Sequence, residues 1–524
     1  MGKFGATVAV VALAVAVAVY MPPEQRTQIE QQVQPLVAWC KDQVEVARTK
    51  LTELSSGSPK PASSTSSSSG SSGQISDKRS TTISATPASE EEVAACKLSG
   101  KVAGCGCDFA SVERLVQHHL HPVLSEVVKL PFFRYFKVNL YCDCQFWDDA
   151  GQCFQKDCCV AECKPDEIPP AWRAEDEAAV AAAKGGGAEC GASVATCEGD
   201  AGVDRSVEAR VESALAQIPS WPGLNNPWVP SDANDDVEYI YVDLQRNPEK
   251  YTGYKGEDAR RIWAAIYAQS ALAEVAASQQ AGAAGGAAGT VEREKEVLYR
   301  LISGMHSSIT TSIVTNYYDE AKGTWGPNLP FFKARFASPA SRPFVENLYF
   351  SLLFVLRAVT KANAALVGLD FNTGAPEADA RTKALVESLV AHPALSEACA
   401  DPFDEGLLWR HGSPERHAVL REQLQVAFHN ITRLMDCVGC EKCKMHGKLN
   451  ILGIAAAMKV LFSQPDEGLA RAPRLHLHRN EAIALVNLLA KLADSVDAVR
   501  ALNVQLAQQE AAAAAAAAAR AAAA

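Results

Sequence analysis

Apolar residues recur every third or fourth position through much of the chain's second half, and that spacing predicts helices. Val297, Leu298, Leu301, Ile302, Met305, Ile309 and Ile313 keep it through one long segment. Val345 to Leu366 is almost continuously apolar, but Arg357 interrupts it, which predicts a buried core helix rather than a membrane span. Leu420–Met435, Leu449–Phe462 and Glu481–Leu506 carry further helical patterns. Strand-like alternation is scarce, and Val237–Leu244 is its best instance. The expected class is mainly α: a single large helical domain with loops stapled around its core.

The gaps in this pattern mark the organisation. Residues 1–22 hold Lys3, an Ala/Val-rich apolar stretch from Gly5 to Met21, and then Pro22-Pro23; this reads as a signal peptide or a signal anchor. Ala14-Val15-Ala16 and Ala16-Val17-Ala18 are candidate cleavage sites. Residues 23–94 read as a polar helix and then a Ser/Thr/Gly-rich tether that cannot bury a core. The folded domain is expected over 95–506. Low-complexity insertions interrupt it at 177–191 and 268–289, the latter expected on the surface, and an Ala-rich tail occupies 507–524.

Composition changes the picture at one point, cysteine. The net charge of −11 over 524 residues comes with no long basic run, which excludes a nucleic-acid binder. Of 16 cysteines, nine crowd between Cys96 and Cys163. After a secretory start, that density predicts an oxidising compartment. Asn430-Ile431-Thr432 is an N-glycosylation sequon, which gains weight in the same setting.

Three of the cysteines form the run CVGCEKC, with Cys437, Cys440 and Cys443 at i, i+3 and i+6. On a helix each pair would share one face. A Cys-x-x-Cys pair can close a small disulfide and lower one thiol's pKa, which is chemistry for passing electrons through sulfur. A ferredoxin run would need a cysteine where Gly447 stands. A zinc site would need four ligands, and His446 is too close to complete the set, so no metal is expected. A purely structural disulfide is the other reading. Cys153, Cys158 and Cys163 are each five residues apart, so Cys158 could close equal loops with either neighbour. Loop-closure entropy does not choose between them, which marks Cys158 as a candidate for exchange. An ordinary disulfide knot fits the same spacing.

CVGCEKC followed by GKL resembles the active-site motif of the endoplasmic reticulum oxidoreductin family. Four more blocks resemble it in the same order: LPFFRYFKVNL at Leu130–Leu140, CQFWDDAGQC at Cys144–Cys153, NPEKYTGYKGEDARRIW at Asn247–Trp263 and YRLISGMHSSI at Tyr299–Ile309. The match spans about Cys96 to Leu506, and its departures point to a plant- or algal-type member.

The resemblance implies a flavin-binding helix bundle and an FAD-dependent thiol oxidase of the endoplasmic reticulum lumen, with the catalytic domain lumenal even if the N-terminus is anchored in the membrane. Such an enzyme oxidises protein disulfide isomerase and passes the electrons to molecular oxygen, giving hydrogen peroxide and supporting oxidative protein folding. A non-catalytic, disulfide-braced lumenal binding protein is the alternative.

By motif position, Cys440 and Cys443 would be the flavin-proximal pair, Cys153 and Cys158 the outer shuttle pair, and Cys144–Cys437 a structural bridge. Lys250, Thr252, Trp263, Ser303, His306 and Arg335 match flavin-binding positions, Lys250 standing where arginine is common. Phe344 occupies a second arginine position, with Arg342 as the nearby substitute. Cys96 and Cys105 match an N-terminal bridge. Position 94 is Ala, which leaves Cys142 as the candidate partner of Cys107. Cys197 matches a regulatory cysteine that would hold Cys153 while Cys158 turns to Cys163. His446 replaces a tryptophan common in the family.

Overall fold

The computed structural model describes residues 109–147, 158–185, 226–230, 239–249, 256–283, 291–319, 322–337, 342–392, 408–409, 412–462 and 475–523. The expected segments 1–22 and 23–94 lie outside these. The described chain is mainly helical, as the apolar periodicity predicts.

It begins with α1 (Phe109–Leu115), a π-helical turn (Val116–Leu120) and α2 (His121–Val127). The short α3 (Pro131–Arg134) leads into strand β1 (Tyr135–Val138), and α4 (Pro170–Gly185) follows. Strand β2 (Ile240–Asp243) pairs antiparallel with β1, Tyr135 opposite Asp243 and Val138 opposite Ile240. Arg134 clamps this ribbon, donating from Nε to Asp243 Oδ1 at 2.8 Å and from Nη2 to Oδ2 at 2.6 Å.

The helical body runs on through α5 (Gly256–Tyr267), α6 (Ser270–Ala283) and α7 (Arg293–Thr315). A small hairpin, β3 (Tyr317–Asp319) and β4 (Thr324–Gly326), precedes α8 (Leu329–Phe336) and α9 (Arg342–Lys361). Then come α10 (Asn363–Val367), α11 (Pro376–Ala391), α12 (Pro414–Leu434), α13 (Glu441–Phe462) and α14 (Arg479–Ala523).

Helices α7, α9, α13 and α14 form the central bundle: α7 and α13 each pack on both α9 and α14, and α9 packs on α14. Two glycines set the approach of these helices. A Cβ on Gly304 would lie 2.0 Å from Ser351 Oγ and 2.4 Å from Asn347 O, and one on Gly453 would lie 2.7 Å from Ala484 O. The polar residues of α7 can be buried because their hydroxyls bond within the helix. Ser307, Thr310, Thr311 and Thr315 each donate to the carbonyl four residues back. The Pro343–Lys361 stretch of α9 has the length and hydropathy of a membrane span, yet most of it is buried in this bundle.

Two expectations need correction. The 268–289 segment contributes a helix to the core instead of a surface insertion alone, because Ala271, Leu272 and Val275 lie three and four apart and share one buried face. Cys437, Cys440 and Cys443 do not share one helix. Cys437 ends a 3-10 helix (Met435–Cys437) and α13 starts at Glu441, so of the three only Cys443 lies in α13.

Candidate functional site

The start of α13 places three sulfur atoms in sequence. Cys158 and Cys440 are joined as a disulfide, and Cys443 Sγ lies 2.8 Å from Cys440 Sγ. Cys443 has no exposed surface and Cys440 is 6% exposed, so both inner sulfurs are shielded from solvent. This pairing differs from the expected Cys440–Cys443 and Cys153–Cys158 pairs. The physical reason is proximity: Cys440 sits between two sulfurs and can bond either by exchange. Cys153 lies outside the described residues.

Beside this cluster, Cys144 and Cys437 are joined as a disulfide across a sequence separation of 293, with Cα atoms 4.7 Å apart. It holds the segment after β1 against the turn preceding α13. Lys444 and Lys448 of α13 support the same junction, donating to Leu140 O at 3.2 Å and Asn139 O at 2.7 Å.

The loop that carries Cys158 is fastened from both sides. Lys442 N donates to Cys158 O at 3.0 Å, and Val160 N donates to Glu441 Oε2 at 2.8 Å. Asn247 holds Ala161 through its side-chain amide, and Cys163 N donates to Tyr241 O on β2 at 2.8 Å. Burial pushes the Cys163 thiol up to about 11, so little thiolate is present there near neutral pH. Cys142 is half-buried, and Asn139 Nδ2 lies 3.0 Å from its sulfur. Cys96, Cys105, Cys107 and Cys197 fall outside the described residues, as do Lys250 and Thr252.

A second region holds the remaining expected residues. A cavity of about 640 Å³ is lined by Arg260, Trp263, His306, Thr310, Tyr317, Phe331 and Arg335 among others, a size ordinary for an organic ligand. Trp263 and His306 stack on each other, ring centroids 3.7 Å apart and planes at 11°. Burial, helped by the Arg335 guanidinium, drives the His306 pKa down to about 3, so the ring is neutral. Burial also holds the Tyr267 phenol protonated, and its hydroxyl lies 3.2 Å from His306 Nδ1.

Ser303 sits behind this pair. Asn347 Nδ2 donates to its hydroxyl at 3.0 Å, and Arg300 Nε fixes Asn347 Oδ1 at 2.9 Å. Arg342 opens α9, and the carbonyl of Phe344 accepts from Ser307 Oγ at 2.9 Å. Flat aromatic faces and guanidinium groups in one cavity suit a cofactor with a planar ring and an anionic tail. Cys440 and Cys443 do not line this cavity.

His446, one turn past Cys443, donates from Nε2 to Asn247 O at 2.7 Å, and burial lowers its pKa to about 4. Asn430 is half-buried in α12, its Nδ2 donating to Gln269 Oε1 at 3.0 Å. Site contacts that the motifs alone do not mark include Asn247, Tyr267, Asn347, Glu441, Lys444 and Lys448. Asn247 opens the NPEKYTGY block and Glu441 follows Cys440, which was the available signal.

Comparison with known proteins follows the same residues. A family model described as Endoplasmic Reticulum Oxidoreductin 1 matches residues 119–499. The chain is 41% identical over 408 residues to endoplasmic reticulum oxidoreductin-2 of Arabidopsis thaliana, covering 78% of this chain and 79% of that protein. It is 32% identical over 430 residues to ERO1-like protein alpha of Homo sapiens, covering 76% and 89%. A solved structure of a double-cysteine mutant of S. cerevisiae Ero1p aligns with a TM-score of 0.49 and 23% identity, covering 76% of this chain and 98% of that one. The family model spans most of the chain and the relatives are matched over most of their length: this chain belongs to the endoplasmic reticulum oxidoreductin 1 family.

Proposed function

We propose that this oxidoreductase is a thiol oxidase that takes two electrons from reduced protein disulfide isomerase and delivers them, through a relay of cysteines and bound FAD, to molecular oxygen. The observation that carries the proposal is the line of sulfurs Cys158, Cys440 and Cys443, with Cys440 in the middle.

A thiolate of the isomerase attacks the Cys153–Cys158 disulfide, and its second thiol displaces the mixed bridge, leaving the isomerase oxidised and both shuttle cysteines reduced. The Cys158 thiolate then attacks Cys440 of the Cys440–Cys443 disulfide. A Cys158–Cys440 bond forms, the Cys440–Cys443 bond breaks, and the electron pair leaves on Cys443. The nearness of Cys158, Cys440 and Cys443 is what supports this step. Attack of Cys153 on Cys158 re-forms the shuttle disulfide and releases Cys440 as the second inner thiolate. Thiolate fraction, access and relative potential govern each exchange, and about 30 mV of two-electron potential corresponds to 1.4 kcal/mol.

FAD, when bound, supplies the two-electron acceptor that returns the inner pair to its disulfide and reduces oxygen to hydrogen peroxide. Trp263, with His306 stacked on it, offers a flat apolar wall for the ring system, and the resemblance places Ser303 and His306 toward its polar edge. Arg335, with Arg260 beside it, offers positive charge to the diphosphate, a task the resemblance also gives to Lys250, Thr252 and Arg342. The lumen of the endoplasmic reticulum is the proposed site of action, with residues 1–22 as signal or anchor. Cys197 and Cys163 are the proposed regulatory partners of Cys153 and Cys158, and Cys96–Cys105 and Cys107–Cys142 the proposed N-terminal bridges. Asn430 is the proposed glycan site.

The test is direct. Purified protein should be yellow with noncovalent flavin and should consume oxygen when supplied with reduced isomerase, and Cys158→Ala should abolish that consumption. Colourless folded protein, or a Cys158→Ala variant as active as the parent, overturns the proposal.

A further inference from the structure

The segment from Cys158 to Cys163 forms no helix, and its one bridge to the sheet is Glu162 against Val242. Several of its backbone groups are nevertheless held by side chains and backbone of the surrounding core: Lys442 N on Cys158 O, Arg246 Nη2 on Glu162 O, Cys163 N on Tyr241 O, and two bonds from one buried amide. Asn247 has no exposed surface, and its amide does what a neighbouring strand would do: Oδ1 accepts from Ala161 N at 2.8 Å, and Nδ2 donates to Ala161 O at 3.0 Å. Nδ2 also donates to Asp243 O, at the end of β2, at 3.0 Å. The Asn247 carbonyl meanwhile accepts from His446 of α13. Glu441, the first residue of α13 and the neighbour of Cys440, takes Val160 N.

We propose that Asn247 and Glu441 are positioning residues that seat the Cys158 loop on the start of α13, so that Cys158 meets Cys440 only when the loop is docked. They touch neither substrate nor the reacting sulfurs; they act through Ala161 and Val160. The inference rests on the cysteine relay and adds what holds its central contact. Asparagine suits the place because an amide carries both a donor and an acceptor. Aspartate of the same shape would turn an oxygen toward the Ala161 and Asp243 carbonyls, leaving both carbonyls without their donor. A loop released from this seat would sample many positions, and the effective concentration of Cys158 at Cys440 would fall.

The test uses the full chain with Cys153→Ser, Cys163→Ser and Cys443→Ser, which removes the other proposed partners of Cys158 and Cys440. The protein is equilibrated with glutathione and its disulfide. Opening the bridge consumes two glutathione thiols and yields two protein thiols and one glutathione disulfide. Occupancy of Cys158–Cys440 is read by alkylation and peptide mapping, with Cys144–Cys437 as the internal reference. Adding Asn247→Asp or Asn247→Ala should lower the bridge's equilibrium constant by roughly 30-fold, the scale of two hydrogen bonds lost to a buried site. Glu441→Ala should lower it by about 10-fold. The reference bridge should stay intact throughout. Equilibrium constants within about threefold of the parent for both Asn247→Asp and Glu441→Ala overturn the seat, taking 1.4 kcal/mol per tenfold as the scale. Loosening of both bridges together also overturns it, because that reports general unfolding. Failure of the parent to form the Cys158–Cys440 bridge at all would refute the relay itself.

Discussion

Cys440 stands one residue before α13, bonded to Cys158 on one side and within reach of Cys443 on the other. The Cys-x-x-Cys spacing was legible in the sequence, but the partner across 282 residues was not, since no local pattern records which distant loop docks there. Cys163 shows the same limit. Its equal spacing from Cys158 makes it a candidate partner, while its raised pKa comes from burial that only the fold creates. Among cysteines alkylated under native conditions near neutral pH, Cys163 should react far more slowly than an exposed thiol and speed up as pH approaches 11. Fast labelling at neutral pH would contradict its burial. His446 makes a second residue-level test. Its folded pKa is about 4 against an ordinary 6.5, so the unfolded chain binds more protons below that ordinary value. Stability contributed by the neutral ring is therefore full above about pH 7 and is lost as pH falls toward 4. The size is about 2 kcal/mol between pH 7 and pH 5. His446→Gln keeps an N–H for Asn247 O and removes the titration, so denaturant unfolding of the variant should lose about that much of its pH dependence.

At the scale of elements, the long helices were readable because their apolar stripes run uninterrupted. Val297 to Ile313 lies within α7, and Leu449 to Phe462 is the body of α13. Low-complexity segments were not readable in the same way. Leu272 and Val275 lie in an Ala-rich stretch whose weak pattern hides a buried face. The bundle's close contacts were also hidden, because a glycine inside a helix does not say which helix it faces. Gly304 meets Ser351 and the Asn347 carbonyl, and Gly453 meets Ala484 and Leu488. Gly304→Ala should force α7 from α9 and cost about 1–3 kcal/mol or more despite alanine's better helix propensity. It should also disturb Ser303 through Asn347, so flavin content of the purified variant should fall along with its melting temperature. A variant as stable and as yellow as the parent would show that the two helices do not approach this closely.

For the whole molecule, the Cys144–Cys437 bridge ties the segment after β1 to the turn leading into α13. By a chain-entropy account, a closed loop of that length stabilises by at most about 5–6 kcal/mol, and strain or residual structure in the unfolded chain lowers the figure. Replacing both cysteines by alanine should lower thermal stability by many degrees and slow turnover, because the start of α13 would lose its brace. An unchanged melting temperature would show the bridge to be dispensable. The sequence blocks carry the sulfur relay and the aromatic cavity as two separate signals. The fold shows what lies between them, with α7 and α13 both packed on α9 and α14. The central claim is that electrons enter through Cys158, pass to Cys440 and Cys443, and reach a flavin held in the cavity lined by α5, α7 and α8. The most direct measurement mixes the oxidised protein with reduced protein disulfide isomerase without oxygen and follows the flavin's visible absorbance band. With reduced isomerase in excess over the three two-electron acceptors of the oxidised protein, the band should bleach fully, and Cys158→Ala should stop the bleaching while leaving the flavin bound. Bleaching at the parent rate in Cys158→Ala, or no flavin band in the folded parent, would contradict the account.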